Sequence, residues 1–195
     1  MQPLLIRLAN TSDCAAILDI YAHYVQHTSI TFEYDVPSVS EMEKRMLSAM
    51  SKYPYLVAEV NGKIAGYAYA TDFRYRSAYQ WSPECTIYLH HAEKGKGTGY
   101  KLYTALFDAL RLQGYYNVFG GVALPNEGSV ALHRKCGFRE IGLYENIGYK
   151  HGQWHSTLWF QLVLQPHADA PAPPRAAQEL FADEEFLRML RSRSL

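Results

Sequence analysis

The sequence predicts an α/β (α+β) domain in which a mixed central β-sheet is flanked by helices. Three observations carry that expectation. Strand-like and helix-like segments follow one another in the order βααβββαβαβ(β). Asn61-Gly62 separates two apolar runs and is the dipeptide that most readily supplies the two positive φ angles of a tight hairpin. An apolar run at 84–90 leads through the glycine-rich stretch KGKGTG into an amphipathic helical segment.

Taken in order, Leu4 to Ala9 reads as a short strand, and Thr11-Ser12-Asp13 supplies N-cap chemistry for a first helix. Ile17, Ile20, Tyr21, Tyr24 and Val25 recur at helical spacing and define one buried face. Ser40 and Glu43 have capping-box spacing, and Met42, Met46, Leu47 and Met50 form the stripe of a second helix. Tyr55 to Val60 and Lys63 to Thr71 are the hairpin strands, and Glu84 to His90 is a third. A helix from Gly99 to Gln113 ends at Gly114, with Leu102, Leu106, Ala109 and Leu110 inward. Tyr115 to Val122 is strand-like, Glu127 to Cys136 is a short helix closed by Gly137, and Gln153 to Leu164 is a long aromatic strand.

Composition changes at Gln165, where PHADAPAPPR places four prolines among ten residues and forms no packed element. The expected organisation is therefore one domain over 1–164, followed at 165–195 by a proline-rich linker with room for a short C-terminal helix. Leu180, Phe181, Leu187 and Leu190 could line that helix. Docking on the domain, docking on a second subunit and a frayed tail all fit the spacing.

Lys+Arg and Asp+Glu are equal at 19 each among 195 residues. With no global field to attract a polyanion, neither nucleic acid nor an anionic membrane surface is an expected partner. Three scattered cysteines without a CxxC pair fit a reducing compartment, and the N-terminal apolar run is too short for a signal-peptide core, so a cytoplasmic location is expected. The sixteen tyrosines read as core and subunit-interface aromatics. His90-His91 and His151-x-x-x-His155 lack a supporting ligand set, so no metal site is expected.

A strand running into Lys94-Gly95-Lys96-Gly97-Thr98-Gly99 and then a helix can hold phosphate, because glycines admit close approach and the helix N-terminus presents unpaired N–H groups. It is neither a Walker A loop nor a dinucleotide fingerprint. By itself it could also simply join two elements. The stretch resembles the Q/R-x-x-G-x-G/A pyrophosphate loop of GNAT acetyltransferases. Downstream, Asn126, Ser129, Leu132, His133 and the Gly137-Phe138 terminus are similar to the asparagine and short helix of that family. Longer stretches resemble the phosphinothricin and methionine sulfoximine N-acetyltransferase subgroup: 20–25, 53–59, 65–70, 121–126 and 148–155. The likeness spans about Leu5 to Leu164. Departures are Lys94 where Arg or Gln is usual, Gly95 where Arg is common, and Ser82-Pro83 before Glu84.

The resemblance implies a GNAT fold and transfer of acetyl from acetyl-CoA to the amino group of a small amino-acid-like acceptor, without a metal. It implies cofactor contacts from Ile87, Tyr88, Leu89, Lys94, Gly95, Lys96, Gly97, Thr98, Gly99, Asn126 and Ser129. It makes Glu84 and His133 the catalytic pair, with the labels of acid and base open between them. A neutral amine is the nucleophile in such a transfer, so a general base is useful, acting directly or through water. Cys85 is read as a plain buried cysteine and not as an acyl-enzyme nucleophile. Arg74, Tyr75 and Arg76 are the candidate acceptor-binding residues: in an extended segment both arginines point the same way and could clamp a carboxylate. The family likeness and the aromatic Trp154 to Leu164 strand imply a homodimer with that strand near the twofold contact. Two other readings compete, a polyamine, aminoglycoside or protein N-terminus as acceptor, and an acyl-CoA-binding module without turnover.

Overall fold

The structure is a computed structural model that describes residues 4–194. Seven strands form one sheet in the order β1-β2-β3-β4-β5-β7-β6. They are β1 (Leu4–Leu8), β2 (Tyr55–Val60), β3 (Lys63–Asp72), β4 (Pro83–Leu89), β5 (Asn117–Ala123), β6 (Arg139–Lys150) and β7 (Gln153–Val163). Six α-helices accompany them: α1 (Cys14–His27), α2 (Val39–Met50), α3 (Thr98–Gln113), α4 (Glu127–Lys135), α5 (Ala177–Phe181) and α6 (Glu184–Arg193). The strand count reaches that of the expected order with its optional strand, but the additional strand, β6, precedes the Gln153–Val163 strand instead of following it, and it is the longest strand of the sheet.

Local chemistry explains the boundaries. Asn10 caps the 3-10 turn at Thr11–Asp13 through a reciprocal capping box with Asp13, one residue before the segment expected to do so. Ser38, rather than Ser40, caps α2, accepting from the Glu41 N–H at 3.1 Å; Ser40 and Glu43 lie inside the helix. Met42 and Met46 are buried there, whereas Leu47 is half exposed. Asn61 and Gly62 have φ of 53° and 72°, the positive pair that the hairpin between β2 and β3 requires.

The period of two along β2 and β3 builds two apolar layers. Leu56, Ala58, Ala68 and Ala70 face α3, together with Leu102, Leu106, Phe160 and, from α6, Phe186. Tyr55, Val57 and Tyr67 face α1 and α2, against Ile17, Tyr24, Val25 and Met46. Each fully buried large apolar side chain contributes about 1.5–3 kcal/mol, so these two layers hold the sheet rigid between the helices.

Every neighbouring pair of strands is antiparallel except β4 and β5, which run parallel and pair at a single position, Glu84 with Phe119. Beyond Glu84, β4 stays paired with β3 as far as Gly66 with Leu89, while β5 pairs with β7 throughout. The two central strands therefore diverge. The backbone edge of β4 exposed by that divergence is a row of peptide groups available to a ligand.

Residues after β7 cross α3 and fold back. Trp81 donates to the Ala172 carbonyl, Arg175 N–H to the Gln113 carbonyl, and Ile6 N–H to Ser194 Oγ beside β1. Leu180, Phe186 and Leu190 are buried against the α3 layer. Among the described residues no helix is long and apolar enough to cross a membrane.

Candidate active site

The divergence of β4 and β5 opens a cavity of about 760 Å³. Its walls include Glu84 to Leu89 of β4, Gly121 to Ala123 of β5, the first turn of α3 and the first turns of α4. Of the expected cofactor contacts, Ile87, Tyr88, Leu89, Lys94, Gly95, Gly97, Gly99, Asn126 and Ser129 line it. Lys96 and Thr98 do not: Lys96 pairs with Glu93 at 3.1 Å, and Thr98 is buried at the start of α3.

Gly97 sits at the helix N-cap position with φ 86°, a conformation an L side chain rarely adopts, so α3 begins with unpaired N–H groups at the cavity mouth. Gly99 allows close packing, since a Cβ there would lie 3.1 Å from Leu89 Cδ1 and 3.3 Å from Leu132 Cδ2. That approach keeps the first turn of α3 beside β4. Lys94 adds a cation, its Nζ lying 4.9 Å from the Tyr24 ring centroid. Phosphate oxygens fit this donor set and its positive potential.

Asn126 is the N-cap of α4, its Oδ1 accepting the Ser129 N–H at 3.2 Å, which leaves its NH₂ as a donor at the cavity wall. One turn on, His133 is buried, its Nδ1 2.8 Å from the Ser129 carbonyl oxygen. A carbonyl only accepts, so Nδ1 carries the proton and Nε2 holds the lone pair. Burial lowers the His133 pKa below the usual imidazole value, against the opposing Ser129 hydrogen bond, which favours the neutral ring. Its Nε2 lies 3.5 Å from the Tyr103 hydroxyl, and the ring stacks on Phe160 at 4.9 Å.

Glu84 lies where β4 and β5 part. Its carboxylate has no hydrogen-bond or ion-pair partner among the described residues, and burial raises its pKa above the ordinary carboxylate value. An unpaired, partly desolvated carboxylate lining a cavity is a competent proton acceptor. Cys85, the next residue, points the other way: it is buried, its Sγ is 3.3 Å from the Phe119 carbonyl, and burial pushes its pKa up to about 12. A thiol so held is not a nucleophile near neutral pH.

Arg74, Tyr75 and Arg76 lie outside the cavity lining and are exposed. The segment after β3 bends instead of continuing extended, so the alternation expected to aim both arginines together does not operate there. Their guanidinium groups instead cover adjacent rings, Arg74 at 5.0 Å from Phe73 and Arg76 at 5.3 Å from Tyr75. Phe73 stacks on Phe119 at 4.3 Å, and Phe119 is the register partner of Glu84. The segment is thereby anchored next to the carboxylate.

Sequence reasoning missed Tyr103, Tyr24, Ile30 and Thr31, all of which line the cavity. Tyr103 and Tyr24 fall on the apolar stripes of α3 and α1 and carry no signal distinguishing cavity floor from core. Ile30 and Thr31 lie in the loop after α1, which is aimed at the site only by tertiary packing. No cluster of three potential metal ligands occurs among the described residues.

Comparison with known proteins agrees with this architecture. Residues 6–159 match the acetyltransferase (GNAT) domain family. A phosphinothricin N-acetyltransferase of Streptomyces viridochromogenes is 37% identical over 174 residues, covering 89% of this chain and 93% of that protein. An L-methionine sulfoximine/L-methionine sulfone acetyltransferase of Salmonella typhimurium is 35% identical over 164 residues, 84% of this chain and 96% of that one. The crystal structure of a GNAT superfamily phosphinothricin acetyltransferase from Sinorhizobium meliloti, in complex with AcCoA, superposes with a TM-score of 0.83 at 33% identity, covering 91% of this chain and 99% of that one. A parted pair of parallel strands, a glycine loop at the mouth and this similarity along nearly the whole domain lead to one conclusion: the chain belongs to the GNAT acetyltransferase family.

Proposed function

We propose that the protein transfers acetyl from acetyl-CoA to the amino group of a small amino-acid-like acceptor, of the phosphinothricin, methionine sulfoximine or methionine sulfone type. The observation that carries this is the cavity between β4 and β5, with an unpaired, burial-raised Glu84 on its wall and the α3 N-terminus at its mouth. The named relatives supply the acceptor class.

In this reading Lys94 and the N–H groups of the 94–99 loop hold the pyrophosphate, the exposed edge of Ile87 to Leu89 aligns the pantetheine arm, and Asn126 and Ser129 close the α4 side. Acetyl-CoA supplies the thioester. Glu84, directly or through water, takes a proton from the acceptor's ammonium. The amine nitrogen then bonds to the thioester carbon, whose oxygen is met by N–H groups of the β4 edge. The C–S bond breaks, nitrogen gives up its remaining extra proton, and sulfur gains one. His133, held neutral and facing Tyr103, shapes the polar floor. A neutral imidazole could itself accept a proton, but its Nε2 faces the Tyr103 hydroxyl, whereas the Glu84 carboxylate is unpaired at the cavity wall, which favours Glu84 as the base.

Arg74 and Arg76 are proposed to meet the acceptor's acidic groups from the segment that Phe73 anchors, with Tyr75 beside them. Thiol release would be followed with phosphinothricin, methionine sulfoximine, methionine sulfone and polyamines as acceptors. Arg74→Ala or Arg76→Ala should raise the acceptor KM by the equivalent of about 1.5–3 kcal/mol, the worth of a charged hydrogen bond, and leave the acetyl-CoA KM unchanged. Equal use of methionine sulfone and its decarboxylated amine would overturn the carboxylate reading and favour a polyamine acceptor. Saturating acetyl-CoA should also raise Tm, since a ligand at a hundredfold excess over Kd adds ~2.7 kcal/mol of stability. A Tm indifferent to it would remove the cofactor from the proposal.

The same reading places the protein in the cytoplasm as a homodimer. Ile141, Leu143, Tyr144, Ile147 and Tyr149 of β6 and Trp154 of β7 are all exposed large apolar side chains, concentrated on one edge of the sheet. Sedimentation should give a dimer at micromolar concentration. A monomer alone would count against this edge as the contact.

A further inference from the structure

Lys150, the last residue of β6, is 2% exposed, yet among the described residues no carboxylate forms an ion pair with it; Glu33 acts on it only at longer range. Its Nζ donates instead to two backbone carbonyls far away in sequence, Val25 and Thr31, each at 2.8 Å. Val25 lies in the final turn of α1, where carbonyls lack intrahelical partners and a positive charge opposes the negative end of the helix dipole. Thr31 lies four residues past the helix end, in the loop whose Ile30 and Thr31 line the cavity.

Three more contacts hold the same loop to the same hairpin. The His151 ring nitrogen Nε2 is 3.3 Å from the Thr28 carbonyl, Tyr34 donates its hydroxyl to the Tyr149 carbonyl at 2.5 Å, and Phe32 packs against Gly148. A Cβ on Gly148 would fall inside the Phe32 ring's contact radius. On its inner side the loop meets the cavity wall: Thr31 Oγ1 is 2.8 Å from the Tyr21 hydroxyl, and the Tyr21 ring packs edge-on against Tyr88 at 5.1 Å. Tyr88 is a cavity residue of β4.

A buried ammonium satisfied only by main-chain oxygens is expensive to desolvate. A neutral hydrogen-bonding side chain of similar reach would cap the helix at a smaller desolvation cost. What the lysine adds is one point charge that fixes two carbonyls, and with them the exit angle of the chain from α1. We propose that Lys150 is a positioning residue for the acceptor side of the site: it holds the 28–34 loop in the conformation that turns Ile30 and Thr31 toward Glu84. The assignment rests on the acceptor occupying this part of the cavity, as proposed above.

The test is Lys150→Met, which keeps the side-chain stem and removes the ammonium. Removal of charged hydrogen bonds to a loop that shapes only one substrate's site should raise the acceptor KM about tenfold or more, with the acetyl-CoA KM and the acetyl-CoA-induced rise in Tm unchanged. Lys150→Cys treated with 2-bromoethylamine rebuilds an ammonium of nearly the original length and should restore the acceptor KM. Gly148→Ala, which displaces Phe32 from the opposite side, should give the same split and keeps the idea testable if Lys150→Met folds poorly. Amide hydrogen exchange of 26–34 should accelerate in both variants, a readout that needs no turnover. If the wild type acetylates none of the acceptors, the functional reading fails, while unchanged exchange in that loop is what defeats the clamp. An unchanged acceptor KM, or parallel rises in both KM values, would likewise overturn the positioning role.

Discussion

Glu84→Gln should lower kcat by roughly 10²–10⁴-fold while leaving acetyl-CoA binding almost unchanged, because the amide keeps the shape of the side chain but cannot accept the amine's proton. The effect is expected to be large because nothing nearby can substitute. Cys85 is a raised-pKa thiol turned to the Phe119 carbonyl, and Tyr103 is buried with its pKa far above the ordinary phenol value. His133 could accept a proton at Nε2, but that nitrogen faces the Tyr103 hydroxyl. Steady-state rates across pH 6 to 9 would decide the matter. A Glu84→Gln enzyme with near wild-type kcat throughout would leave substrate positioning as the sole source of rate.

The same substitution has an opposite consequence for stability. Burial raises the Glu84 pKa in the folded protein above its unfolded value, so the folded state binds the proton more tightly than the unfolded chain. Stability from this group is therefore fully present below the unfolded pKa and is lost as pH rises through the folded one. Glutamine carries no such charge. Glu84→Gln should show a higher Tm than wild type at pH 8, with the difference shrinking toward acid. A variant that is inactive yet more stable is the expected mark of a carboxylate kept unpaired for chemistry.

How far the site was legible in the sequence follows from which signals are local. Gly97 and Gly99 could be placed at the cavity from the local pattern of a glycine-rich loop opening a helix, whereas Asn126 and Glu84, which also line it, were singled out through the family resemblance. Helix periodicity likewise identified the buried faces of α1 and α3, down to Tyr24 and Leu106. Strand β6 was not assigned from the sequence because most of its side chains are exposed, so the alternation that marks a half-buried strand is absent from Arg139 to Ile147. Arg74 and Arg76 depended on an extended backbone that the bend after Asp72 does not provide. Tyr103, Thr31 and Lys150 act through partners 10 to 125 residues away; no local pattern encodes them. Lysine in particular is almost never fully buried, so its position in a sequence reads as surface.

Phe186→Ala should destabilise the protein by about 3–5 kcal/mol, the usual cost of truncating a fully buried aromatic. Spacing alone left the tail between a docked helix and a frayed end, since ten residues with an apolar stripe look the same in either state. In the structure Phe186 is completely buried, as is Leu180, and both belong to the layer formed by Leu102, Leu106, Leu110 and Tyr115. Polar contacts fix the register: Asp183 caps α6, Arg193 reaches Asp108 of α3 at 2.6 Å, and Ser194 Oγ accepts the Ile6 N–H at 2.8 Å on the edge strand β1. The ion pair is partly exposed and worth little alone; the apolar contact carries the energy. Urea unfolding of Phe186→Ala should show a lower midpoint with an unchanged slope, because the core is lost as one unit. The acetyl-CoA KM should stay close to wild type, since among the described residues none of α6 lines the cavity. A free energy of unfolding within ~0.5 kcal/mol of wild type, the range of ordinary surface substitutions, would show that the tail does not contribute to the core in solution.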